Sequence, residues 1–135
     1  MSTTSMPLNI ALLILRVVSG LMMLFGHGWM KLQNVLSGNW GFINIAGIPP
    51  QVSLIFAILV EVGAALLLTV GFRTRIMAGL LFLVMAGALM FYHLSDPLFA
   101  ANAKGGGSKE MAVIYGVIFL ALTLTGGGKY SLARK

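Results

Sequence analysis

Apolar residues run along this chain in four long blocks separated by short polar links. A helix rises about 1.5 Å per residue, so crossing a hydrocarbon core about 30 Å thick takes roughly 20 residues. Four stretches approach that length, at about 8–31, 51–71, 74–93 and 109–126. The second opens after Pro49-Pro50 and closes at Gly71, residues suited to a helix start and a helix end. The third follows the tight polar link Gly71-Phe72-Arg73-Thr74-Arg75. The fourth is the weakest, since its uncharged part begins only at Met111, and it stops at Gly126-Gly127-Gly128. Residues 34–48, with Trp40 and Phe42, are too short and mixed to cross, and read as a loop or short interfacial helix with Trp40 at headgroup level. Residues 94–108 hold Asp96-Pro97 and Gly105-Gly106-Gly107; lacking the Lys-Ser/Thr of a phosphate loop, the glycines read as a hinge.

Composition turns this pattern into a class. Of 135 residues, 59% are hydrophobic and 9% charged, where a soluble domain carries roughly a quarter charged. The expectation is an all-α membrane protein: one domain over residues 1–135, a bundle of four transmembrane helices. The first block reads as a retained span rather than a signal peptide, because residues 1–9 carry no Lys or Arg and Arg16 interrupts the apolar run. With four spans, Arg73, Arg75, Lys129, Arg134 and Lys135 share one side, against Lys31, Lys104 and Lys109 on the other. That bias predicts both termini in the cytoplasm.

The net charge of +6 changes little. The cations are scattered singly, which fits anionic headgroups and orientation, not nucleic acid. The absence of cysteine excludes disulfides, thiolate metal sites and dithiol redox chemistry on this chain.

Within a bilayer the informative residues are those that are costly to place there, on the order of 2.5–3.5 kcal/mol for a mid-bilayer charge. Arg16 and Glu61 qualify. Each lies eight or nine residues from the cytoplasmic end of its span, about 12–14 Å, so an intramembrane Arg16–Glu61 ion pair is predicted. The alternative is that Arg16 snorkels to the headgroups while Glu61 is protonated.

Arg16 and His27 are eleven residues apart, within about 20° of one helix face. A stripe Arg16–Gly20–His27–Lys31 should therefore point into the bundle. His27 and His93 should reach one depth near the outer rim, beside Lys31, Asp96, Glu110 and Tyr115. These residues could bind a quinone headgroup or another small polar ligand, since imidazole donates to a carbonyl and titrates near neutral pH. The alternative is that they cap helix ends and meet headgroups. No tight ligand spacing supports a metal, and no catalytic residue is assigned. Gly63, Ala64, Gly79, Ala86 and Gly87 are expected to allow close helix approach, while Met22, Met23, Met77, Met85 and Met90 should pack or face lipid.

The stretch Leu24-Phe25-Gly26-His27-Gly28-Trp29-Met30-Lys31-Leu32 resembles a signature of the DoxX family of membrane proteins. Glu61, Gly63, Leu66-Leu67-Leu68, Gly71 and Thr74-Arg75 resemble that family's second-span motif, and His93 and Gly128-Lys129-Tyr130-Ser131-Leu132 fit as well. The resemblance implies four helices in a bacterial cytoplasmic (inner) membrane. It further implies an accessory subunit or quinone-binding component of a redox or oxidative-stress system, alongside a partner redox protein or a second copy. Arg16, His27, Lys31, Glu61 and His93 become the residues of interest, and the fold carries no assignable enzymatic activity of its own. The other readings are a non-enzymatic scaffold or a lipid- or small-solute-binding protein. An oligomeric transporter is less favoured, since no pair of broken helices is visible.

Overall fold

The computed structural model describes residues 5–42 and 44–132, all helix, turn and loop. Three helices are long and apolar enough to cross a membrane: α1, Met6–Leu36; α2, Pro50–Val70; and α3, Thr74–Tyr92. A shorter apolar helix, α4, spans Glu110–Thr125. Among the described residues there is no strand, only the isolated bridge Ile45–Ile48 in the α1–α2 link. The apolar blocks thus became helices with ends close to those expected, and with one difference. Helix α1 runs on to Leu36, so the first part of the anticipated loop is helical. Its 31 residues reach about 46 Å, more than a hydrocarbon core needs. The excess is the segment Trp29–Leu36, which buries no residue.

Proline and glycine punctuate the helices as their backbones require. Pro7 and Pro50 lie in the first turns of α1 and α2, where a missing N–H costs nothing. Helix α2 ends at Gly71 with φ +81°, and α4 ends at Gly126 with φ +80°, left-handed positions that a side chain would strain.

Three helices also contain a π turn, at Leu24–Gly28 in α1, Leu59–Ala64 in α2 and Ala88–Tyr92 in α3. Such a turn holds one residue more than an α turn and rotates everything after it on the helix surface.

The core joins all four helices through Leu12, Met23, Leu24, Val60, Ala65, Leu68, Leu81, Met85, Tyr115, Phe119 and Leu122. The flanks are as apolar as the core: Ile14, Val18, Phe56, Leu59, Leu83, Val117 and Leu124 are each at least half exposed. Water would tolerate no such surface on a monomer, whereas lipid matches it, and helices keep their backbone groups paired there. Of the methionines, Met23 and Met85 are buried while Met22 and Met90 face outward.

Glycine sets the α1–α2 register, though not at the glycines expected. A Cβ on Gly20 would meet Thr69 Oγ1 and the Ala65 carbonyl, and one on Gly28 would lie 2.8 Å from the Glu61 carbonyl. By contrast Gly63 and Gly87, expected to allow close approach, have nothing within 4 Å of such a Cβ, and Gly79 only touches Thr123 at 3.8 Å. Gly63 and Gly87 lie on faces turned away from neighbouring helices, while Gly79 faces α4.

At the end of the molecule where α2 stops and α3 starts, residues 126–132 fold back across the helix ends. Lys129 N–H donates to Asn9 Oδ1 (2.8 Å), Leu132 N–H to the Val70 carbonyl (3.1 Å), and Arg16 Nη2 to the Tyr130 carbonyl (3.1 Å).

Candidate functional site

Away from that end the π turns of α1 and α2 pack against each other, and that of α3 lies beside α4. His27 lies in the first, Glu61 in the second, and His93 directly follows the third. The turn in α1 decides what its neighbours meet. Counted at 100° per residue from Gly20, His27 would face α2. The π turn advances the phase by one residue, so that Gly28, now buried, takes the place against Glu61. His27, half-buried, turns instead toward α4, where its ring stands edge-on to Tyr115 with centroids 5.5 Å apart. Tyr115 in turn stacks on Phe119 at 5.8 Å.

Glu61 is buried, and its partner is Lys31: Nζ lies 2.5 Å from Oε2, with the side chains 27% and 4% exposed respectively. The expected Arg16–Glu61 pair is therefore not formed. Gly28 rests against the Glu61 backbone, and Arg16 is twelve residues earlier on α1, about 18 Å along the axis. The error lay in aligning the two spans by their ends. Helix α1 overshoots the first predicted span, and the long link to α2 leaves the register free, so that glycine contacts set it. Lys31 was predicted only as part of the outer stripe; nothing in hydropathy marks it as the ion partner.

His93 donates through Nδ1 to Asp96 Oδ2 at 2.7 Å, which leaves Nε2 as the ring atom available to another group. The glycine loop closes over this pair, for a Cβ on Gly107 would lie 2.6 Å from Asp96 Oδ2. Gly107 is thus needed for close approach, beyond any role as a hinge. Glu110 is engaged locally, accepting the Ala100 N–H at 2.7 Å and so tying the loop to the start of α4. It is not among the groups gathered around His27. Among the described residues no three His, Asp or Glu side chains converge as a metal site would require.

Beside His27 an open groove of about 560 Å³ runs along the flank between α1 and α4. Leu21, Met22, Phe25 and Gly26 line one side, Met111 and Tyr115 the other, and His27 supplies the polar group. Apart from His27 its wall is apolar, and it suits a molecule with an apolar body and a hydrogen-bonding head.

Apolar flanks, three membrane-length helices and buried charges define a multi-pass membrane protein in contact with lipid. The pattern of the DoxX family matches residues 11–94, and the chain belongs to that family. It is also similar to an uncharacterised protein of Haemophilus influenzae, 32% identical over 123 residues, covering 90% of this chain and 87% of that one. No solved structure matches.

Proposed function

We propose that this chain is an accessory component of a membrane redox or oxidative-stress system that holds a quinone-like ligand in the α1–α4 groove. In this reading α4 also crosses, giving a four-helix bundle in the bacterial cytoplasmic membrane with both termini inside. A partner redox protein or a second copy would then meet the ligand at the outer rim. The carrying observation is an imidazole at the wall of an open apolar groove. A ligand carbonyl would accept from His27, and its tail would lie along Phe25 and Met22. The chain need not be an enzyme to do this, since it positions the ligand for a partner.

Gly26 offers a clean test, because a Cβ there meets nothing within 4 Å. Gly26→Leu should leave thermal stability within about 0.5 kcal/mol while filling the groove. With the protein in nanodiscs, native mass spectrometry would read the retention of an added ubiquinone or menaquinone. Retention is expected in the wild type, to fall about tenfold in His27→Ala for one lost hydrogen bond, and to vanish in Gly26→Leu. Equal retention in all three proteins would remove the reading. The competing view, a non-enzymatic scaffold or lipid-binding protein, draws on the buried Lys31–Glu61 pair as a folding element, and it predicts that neither variant changes ligand retention.

A further inference from the structure

The opposite end of the molecule holds a second cluster of costly groups, unrelated to the groove. Arg16 is 2% exposed; one of its N–H groups reaches the Tyr130 carbonyl, but Nε and Nη1 find no partner among the described residues. Thr74 is 3% exposed, and its Oγ1 is likewise without a partner among them. Thr74 is the first residue of α3, whose start has no side-chain cap because Arg73 precedes it in a left-handed conformation, φ +46°. Ser131 joins the two groups. Its Cβ would lie 2.6 Å from a Cβ on Gly71, itself against Arg16 Nη1, and 2.9 Å from one on Gly127, itself against Thr74 Oγ1.

Charge accounting sharpens this. The sequence has three Asp and Glu in all. Glu61 pairs with Lys31, Asp96 with His93, and Glu110 with the Ala100 N–H, all at the other end of the molecule. No carboxylate side chain of this chain is left for Arg16. A buried guanidinium without a counter-ion is strongly destabilising.

We propose that this cluster binds a phosphate group, supplied by a phospholipid headgroup or by free phosphate. The guanidinium fork, a buried hydroxyl and the open N–H groups of a helix start are the donors that phosphate takes. The glycines at 71 and 127 bring the 126–132 segment close enough to cover it.

The test uses the full chain in two settings. In detergent, unfolding midpoints are compared in inorganic phosphate and in chloride at equal ionic strength. In nanodiscs, midpoint and bound phospholipid are compared between digalactosyldiacylglycerol alone, which carries no phosphate, and a mixture with phosphatidylglycerol. A midpoint raised by phosphate, or by phosphatidylglycerol together with its retention, supports the proposal; a response in detergent assigns free phosphate, a response only in nanodiscs the headgroup. Thr74→Val keeps the side-chain shape and should fold, while binding the phosphate group roughly tenfold more weakly. The double variant Arg73→Gln, Arg75→Gln should bind within about threefold of wild type, since exposed charges contribute little. The proposal is overturned if chloride matches phosphate and the lipid mixture has no effect. It is equally overturned if Thr74→Val binds as wild type while the surface arginine variant loses binding.

Discussion

Replacing Lys31 by Met is expected to destabilise the protein by about 3–5 kcal/mol, because it leaves the buried Glu61 carboxylate without its partner. The cost comes from stranding a charge more than from losing a contact. Glu61→Gln should therefore cost less, as the remaining Lys31 is partly exposed and can reach headgroups. The double variant Lys31→Met, Glu61→Gln should recover most of the loss, since an uncharged pair of similar shape has no desolvation to repay. Unfolding titrations in mixed micelles would read all three. A control separates this pairing from the one expected on span ends alone. Arg16→Met and Glu61→Gln, roughly 18 Å apart along α1, should add within about 0.5 kcal/mol. A strong coupling between residues 16 and 61, with none between 31 and 61, would refute the arrangement described here.

Gly71→Ala should cost about 2–4 kcal/mol. Part of this is left-handed backbone, φ +81°, worth about 1–2 kcal/mol against a residue with a Cβ. The rest is collision, for the added carbon would fall on Arg16 Nη1 and within 2.6–2.7 Å of Ser131 Cβ and Cα. Relief requires moving the tail segment, so the variant should also expose residues 126–132 to proteolysis before the bundle unfolds. The matching controls are Gly63→Ala and Gly87→Ala. Both sites are helical and open to lipid, so Ala there should be neutral or stabilise by up to about 1 kcal/mol. Thermal midpoints that rank these three glycines alike would contradict the packing.

That contrast shows how far the sequence could be read. Gly63 and Gly87 sit in small-residue runs that suggest helix contacts, while Gly28 stands among large residues and only Gly20, on the inward stripe, was marked by its helix face. Which glycine meets a neighbour depends on helix rotation, a quantity that hydropathy does not carry. The same holds for the candidate site. His27, Lys31, His93 and Tyr115 were legible as polar or aromatic groups near one rim, because a charged or hydrogen-bonding side chain in an apolar block stands out wherever the block folds. Their partners were not legible. Counting at 100° per residue assumes an unbroken α-helix, and π turns at Leu24–Gly28 and Leu59–Ala64 break that count where it mattered.

The sequence by itself determined that the chain lives in lipid, where its helices begin and end apart from the C-terminal end of α1, and which family it resembles. These follow from local properties: transfer cost per residue, proline and glycine backbone limits, and short motifs. Only the tertiary structure decided that Glu61 meets Lys31, that Arg16 turns toward the 126–132 segment, and that His27 faces α4. The thirteen-residue link from Ser37 to Pro49 leaves α2 free to slide along α1, so close glycine packing, not chain connectivity, chose the register.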